Sequence, residues 1–116
     1  MSIINLTPHQ ITLRDDEGYD HIIEPSGTVA RVLQQDGEKT MLPAVVPVWS
    51  APSTTGVIDL PAPRGGILLI VSGMVREAAK GRPDVVSPGT GPKDGAIRND
   101  KGHIVAVTRL IQARVE

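Results

Sequence analysis

An uninterrupted run of five aliphatic residues, residues 67–71, constrains the fold of this 116-residue chain more than any other feature. Two glycines precede the run and Ser72 follows it. A short, continuously apolar run between turn-forming residues is typical of a strand that is buried on both faces. Ser72 is suited to cap a helix that follows, and Gly81 and Pro83 are suited to end it. We therefore predict a buried strand and then one short helix at about residues 73–80.

The rest of the chain is predicted to be mainly β-structure. The whole chain contains 13 Val and 11 Ile against 8 Leu. The β-branched side chains of Val and Ile lose freedom in helices but pack well on a pleated sheet. Short segments of alternating polarity, separated by turn residues, predict an opening meander, an edge strand interrupted by two prolines and a closing hairpin, at residues 3–33, 41–49 and 96–110.

The expected fold class is therefore α+β and mainly β. The strands should form a small antiparallel or mixed sheet, or a partly open barrel, with one short helix packed against it. The length fits a single domain of residues 1–116, because domains of this size bury a sizeable core.

Composition excludes several classes of protein. The chain has no Cys, which removes disulfides, thiolate metal sites, iron–sulfur clusters and Cys nucleophiles. It has one Trp, one Tyr and no Phe, too few aromatic rings for a platform that stacks single-stranded nucleic acid. No apolar run approaches the roughly 20 residues of a membrane span, and the N-terminus lacks the pattern of a signal peptide. We expect a cytoplasmic protein with no membrane attachment.

Charge is distributed unevenly along the chain. Residues 1–59 carry three Lys or Arg and eight Asp or Glu, whereas residues 60–116 carry nine and five. The two halves are thus about −5 and +4, which sum to the formal net charge of −1. Such asymmetry predicts a basic face for an anionic ligand, complementary faces that favour a homo-oligomer, or simply interleaved solvated charges. The acidic first half argues against nucleic acid as a partner.

Residues 82–98 form the first candidate site, because rigid loops rich in Gly and Pro commonly carry binding groups. Arginines suit phosphate groups, and glycine amides can approach a ligand closely. The segment lacks the spacing of a P-loop, so a structural loop in which Arg82 pairs locally with Asp84 is an equally weighted alternative. The candidate ligand-binding residues in this loop are Arg82, Asp84, Ser87, Gly89, Thr90, Lys93 and Arg98.

His9 is added to the ligand-binding residues, because it lies in a constrained Thr-Pro-His corner between two predicted strands. It could act as a general base or hydrogen-bond the backbone of the corner, and the structural role is favoured. The three histidines have no metal-ligand spacing, and we predict neither a metal nor a cofactor. Ser72, His9 and Asp84 are the candidates for a hydrolytic site, but Ser72 lacks a nucleophile elbow. We therefore assign no catalytic residue and favour a protein that is not an enzyme.

Four segments, residues 4–9, 25–32, 82–92 and 96–109, resemble a family of small phage and prophage proteins. They include an Asn-Leu-Thr-Pro-His opening and an Arg-Pro-Asp…Ser-Pro-Gly-Thr-Gly-Pro loop. The resemblance extends over nearly the whole chain. It implies a phage origin and brings no catalytic residue with it.

A phage origin implies a role in host takeover or defence evasion. By analogy, we expect an accessory protein that binds a small anionic ligand in the host cytoplasm without turnover. The expected ligand is a cyclic or ADP-ribose-type nucleotide used as an immune signal, and the expected assembly is a homo-oligomer. Two alternatives stay open: a small phosphodiesterase or hydrolase acting on a nucleotide, and a protein inhibitor of a host factor or a virion-associated structural protein.

Overall fold

The computed structural model describes residues 2–42 and 46–113. Strands dominate this part of the chain. The elements follow in the order β1 (Ser2–Asn5), β2 (Ile11–Arg14), β3 (Asp20–Ile23), β4 (Arg31–Gln35), β5 (Lys39–Leu42), β6 (Val46–Trp49), β7 (Ser53–Ile58), β8 (Ile67–Ile70), α1 (Gly73–Ala78), β9 (Val85–Pro88), β10 (Ile97–Arg98), β11 (Ile104–Ala106) and β12 (Leu110–Gln112). The prediction of a mainly β protein with one short helix is confirmed, and none of the sheets in the described residues closes into a barrel.

A four-stranded mixed sheet with the strand order β1-β8-β9-β12 forms the centre of the molecule. β8 pairs in parallel with β1 on one side and β9 on the other, and β12 is antiparallel to β9. The aliphatic run supplies β8, and Leu69, Ile70 and Val71 are 2%, 0% and 0% exposed. Because successive side chains point to opposite faces of a sheet, Leu69 and Val71 pack with Val85 in one cluster while Ile70 packs with Val86 in another.

Helix α1 connects β8 to β9, as the turn residues around it predict. The hydroxyl of Ser72 accepts a hydrogen bond from the backbone N–H of Val75 at 3.3 Å and so caps the helix. Val75 is 2% exposed and anchors the helix on the sheet. The helix ends at Ala78, within the predicted residues 73–80, and Gly81 then turns the chain with a φ of 99°.

The opening and closing segments form antiparallel hairpins. β2 pairs with β3 and β10 pairs with β11, which confirms the closing hairpin. The predicted opening meander is wrong for β1 and β4, since β1 lies parallel to β8 and does not pair with β2, and β4 pairs with β7 and not with β3. β1 places Ile4 against the same apolar cluster as Leu69. Burial against this distant run determines the partner of β1, and local turn signals carry no information about it.

Strands β4 to β7 form a long two-stranded arm, which the structure describes at residues 31–42 and 46–58. β4 pairs with β7 and β5 pairs with β6, and between the two ladders the N–H of Ser50 donates to the carbonyl of Glu38 at 2.9 Å. Gly37 permits the close approach of the two chain segments here, because a Cβ atom at Gly37 would lie 2.0 Å from the carbonyl oxygen of Ser50. The molecule is elongated, with extents of 58 × 39 × 31 Å.

The prediction of one interrupted edge strand over residues 41–49 is wrong, because β5 and β6 are two strands of one hairpin. Pro43 lies outside the described residues. Pro47 lies in β6, which has a strand partner on one side only among the described residues. Such an edge strand tolerates proline, which has no N–H to donate to a neighbouring strand. No helix in the described part of the chain is long and apolar enough to cross a membrane.

Candidate ligand-binding cleft

A cleft of about 760 Å³ lies at the carboxyl ends of the three parallel strands of the central sheet. Residues 7–9 line it after β1, Ser72 and Arg76 line it after β8, and parts of residues 87–94 line it at the end of β9. The carboxyl ends of parallel strands meet at one edge of a sheet, and ligands of open α/β sheets bind in the crevice beyond that edge. We call this space the carboxyl-end cleft.

Asn5 holds the first wall of the cleft. Its side chain is 1% exposed, and its amide donates to the carbonyls of His9 and Ile23 at 2.8 and 3.1 Å. Its oxygen accepts from the N–H and the hydroxyl of Thr7 at 2.9 and 2.7 Å. Every polar atom of this buried side chain is therefore paired, and the corner at residues 7–9 is fixed.

Arg76 supplies the positive charge in the cleft. Its Nη1 donates to the hydroxyl of Ser87 at 2.9 Å, and its Nη2 donates to the carboxylate of Glu77 at 2.8 Å. Ser87 is 2% exposed, whereas the Arg76 side chain is 19% exposed. The Nε of Arg76 is buried and has no hydrogen-bond partner among the described residues. A guanidinium has five N–H donors, so Arg76 keeps donors that the protein has not used.

Asp94 closes the loop that forms the opposite wall. Its carboxylate accepts from the N–H of Gly91 at 2.8 Å, from the Nε of Arg109 at 3.1 Å and from the Nη2 of Arg109. The hydrogen bonds from Arg109 and then from Gly91 hold the pKa of Asp94 below its ordinary value of 3.8, and the charges of Arg109 and Arg76 act in the same direction. Asp94 is thus an ionised, already occupied carboxylate with a structural role in the loop.

Of the eight residues that the sequence suggests for ligand binding, the structure brings His9, Ser87 and Thr90 to the cleft. Arg82 and Asp84 lie at the other end of β9, because Asp84 precedes the first residue of that strand. Four residues of strand separate the two ends by about 13 Å. Arg82 and Asp84 form a two-pronged ion pair, with distances of 3.1 and 2.7 Å, which is the local pairing weighed as the alternative role.

The other three candidates make contacts within the protein. The N–H of Gly89 donates to the carbonyl of Arg109 at 2.9 Å, and a Cβ atom at Gly89 would lie 2.9 Å from that same oxygen. The carbonyl of Lys93 accepts from Nη2 of Arg109 at 3.0 Å. Arg98 donates to the carbonyl of Gly102 at 2.8 Å within the closing hairpin. Gly89 therefore permits a close approach of two protein segments, and its amide is not free for a ligand.

Sequence reasoning missed Arg76 and Asn5. Arg76 belongs to the predicted helix, where a basic residue four positions after the cap follows the buried strand closely enough to reach its carboxyl end. Asn5 stands two residues before Thr7 and directly before a corner, which is a known pattern for a side chain that hydrogen-bonds nearby backbone. That pattern was the available signal.

The cleft offers hydrogen-bond donors to an anion, and in the described residues neither of its serines is hydrogen-bonded to a general base. The hydroxyls of Ser72 and Ser87 accept hydrogen bonds from Val75 and Arg76, and among the described residues neither contacts a histidine or a carboxylate. No three His, Asp or Glu side chains in residues 2–42 and 46–113 come close enough together to hold a metal ion.

Comparison of the chain with models of protein families, with curated proteins and with solved structures found no match. The functional assignment therefore depends on the geometry and the charges of the carboxyl-end cleft.

Proposed function

We propose that this protein binds a small anionic ligand of the phosphate-bearing, nucleotide type in the carboxyl-end cleft and holds it without turnover. The observation that carries the proposal is that Arg76 lines the cleft and that its hydrogen bonds to Ser87 and Glu77 use only two of its five guanidinium N–H donors. The side chain is 19% exposed whereas its Nε is buried, so the donors left for an anion are those of the two Nη atoms. The anion would occupy these remaining donors.

The size and the lining of the cleft support a small molecule as the ligand. Its volume of about 760 Å³ lies within the range of roughly 300–1,000 Å³ that small-molecule sites occupy. The planar guanidinium of Arg76 and the hydroxyl of Ser87 lie side by side. Such a pair of hydrogen-bond donors suits the oxygens of a phosphate group. Pro8 and Ile11 give the cleft an apolar wall that would exclude water from the bound anion.

The hydrogen bonds in the cleft favour binding of the ligand over its hydrolysis. A hydrolase needs a nucleophile or a water molecule that is activated by a positioned base. In the described part of the chain, neither serine of the cleft contacts such a base, and the Asp94 carboxylate is already occupied by Arg109 and Gly91.

The resemblance to small phage proteins gives the proposal its biological setting. The protein would act in the host cytoplasm as a counter-defence factor that sequesters a nucleotide-type immune signal. We further infer that copies of the chain associate through the arm, whose exposed apolar side chains include Leu33, Val46 and Trp49. Association would bury a surface that a monomer leaves in water.

Native mass spectrometry of the protein, purified from infected or defence-activated cells, tests the binding proposal. We expect a bound small molecule and a stoichiometry above one chain. Arg76→Ala should weaken affinity for the recovered ligand by about 10- to 100-fold in calorimetry, because a charge-assisted hydrogen bond is lost. Arg98→Ala is the matched control, since Arg98 is an exposed arginine outside the cleft, and it should leave affinity unchanged.

Equal affinities of the Arg76→Ala and wild-type proteins would refute the site, and equal losses in both variants would point to general charge. Conversion of the ligand to new products during incubation would favour the hydrolase alternative. Recovery of a protein partner with no small molecule would favour the inhibitor alternative.

A further inference from the structure

A second space adjoins the carboxyl-end cleft. This side groove has a volume of about 380 Å³, and Thr7, Pro8 and Ser72 line both spaces. The two spaces therefore meet along one shared wall. A ligand that occupies both spaces would therefore pass Thr7, Pro8 and Ser72.

Helix α1 contributes to both spaces. Met74 lines the side groove and Arg76 lines the cleft. Residues two positions apart on a helix are separated by about 3 Å along the axis and by roughly 200° around it. The first turns of one short helix thus present an apolar side chain to the groove and a cation to the cleft.

The lining of the side groove differs from that of the cleft in kind. Val29, Val32 and Met74 give it an apolar surface, Arg31 also lines it, and Met74 is 57% exposed. Methionine packs well on aromatic rings through its polarisable sulfur. A flat, largely apolar group would cover this exposed surface.

Gln34 adds a polar group to the groove. Val32 and Gln34 are two residues apart on β4 and so share one face of that strand, and both line the groove. The pairing of β4 with β7 shifts register opposite Leu33 and Gln34, but the extra residue is Thr55 of β7 and not a residue of β4. A glutamine amide both donates and accepts hydrogen bonds, as the edge of a heterocyclic base requires.

We propose that the side groove holds the base of the same nucleotide whose phosphate group binds Arg76, with Met74 packing on the ring and Gln34 hydrogen-bonding its edge. This inference rests on the proposed function and sharpens it, because it divides the ligand into an anionic part and a heterocyclic part. Pyrophosphate alone would then fill only the cleft, whereas a nucleoside diphosphate would fill both spaces.

Calorimetry with pyrophosphate and with ADP, GDP, CDP and UDP tests this division. We expect at least one nucleoside diphosphate to bind the wild-type protein 10-fold or more tightly than pyrophosphate. Met74→Ala and Gln34→Ala should each weaken binding of that nucleotide by 5-fold or more and leave the affinity for pyrophosphate unchanged. Gln35→Ala, in the exposed residue next along β4, is the control and should change neither affinity.

Circular dichroism and thermal melting of each variant separate a loss of contact from a loss of fold. If pyrophosphate binds through Arg76 and no nucleoside diphosphate exceeds it, or if both groove variants bind the nucleotide like the wild-type protein, the side groove is not a base site and the proposed function stands. If neither pyrophosphate nor any nucleotide binds, both proposals fail.

Discussion

The central sheet and the arm are built from the same kinds of strand, yet they bury very different amounts of side chain. β8 has a partner on each side and apolar clusters on both faces, and its Ile70 is 0% exposed. In the arm, residues 31–58, each strand of the described residues has one partner, and Leu33 and Trp49 are 46% and 59% exposed. Hydrogen-bonded ladders alone therefore do not distinguish the stable region from the marginal one.

Burial distinguishes them, because a two-stranded hairpin without a covered face is marginally stable in water. The base of the arm is covered, since Val32 and Val57 pack against the first apolar cluster of the sheet. The distal half lacks such cover in the described residues, where β6 is exposed throughout. The difference places the buried core and the cleft in the sheet, and makes the exposed distal arm the surface to test for the proposed contact between copies of the chain.

Matched truncations in the two regions give the largest expected effect. Ile70→Ala should lower the free energy of unfolding by about 2–5 kcal/mol, because it removes buried methyl groups and leaves a cavity. Leu33→Ala in the arm should change it by less than about 0.5 kcal/mol, as exposed substitutions usually do. Urea unfolding measures both values. Similar losses in the two variants would show that the arm is covered in solution to the same degree as the core.

Acidification tests the ion pair between Asp94 and Arg109 in the wall of the cleft. The arm has no comparable contact, because none of the ion pairs of the described residues lies within it. The pKa of Asp94 is lowered from 3.8, chiefly by hydrogen bonds from Arg109. Its unfolded-state pKa is higher, so its contribution to stability is present above about pH 4 and disappears as the pH falls through the folded-state value. Asp94→Asn should therefore be less stable than the wild-type protein at pH 7, and the gap should narrow below about pH 4.

Asp20→Asn is the control for this titration. Arg14 lowers the pKa of Asp20 in the same direction, but Asp20 lies in the exposed β2–β3 hairpin, far along the chain from the cleft loop. Only Asp94→Asn should also change ligand affinity at pH 7, because only Asp94 lines the cleft. A gap between Asp94→Asn and the wild-type protein that stays constant down to pH 2 would contradict the proposed role of the Arg109 contact.

The difference between local and long-range contacts explains which elements of the structure can be predicted from the sequence. The aliphatic run at residues 67–71 identifies β8, and Ser72 and Gly81 bracket the helix, because these signals are local. The partner of β1, the hairpin of β5 and β6 and the position of Arg76 beside Ser87 depend on contacts between residues distant along the chain. Residue types therefore predict a candidate anion-binding loop at residues 82–98, whereas the fold places Arg82 at the other end of β9 and brings Arg76, from helix α1, to the cleft.

Replacement of Trp49 should have the smallest effect on stability and the most specific effect on assembly. Trp49→Ser removes an exposed aromatic side chain from β6, so the free energy of unfolding should change by less than about 0.5 kcal/mol. If copies associate through the arm, sedimentation and light scattering should show a shift toward monomer, because aromatic side chains contribute strongly to interfaces. Tyr19→Ser is the matched control, since Tyr19 is 67% exposed and lies at the turn of the β2–β3 hairpin. A change in assembly caused by Tyr19→Ser and not by Trp49→Ser would move the contact from the arm to that hairpin.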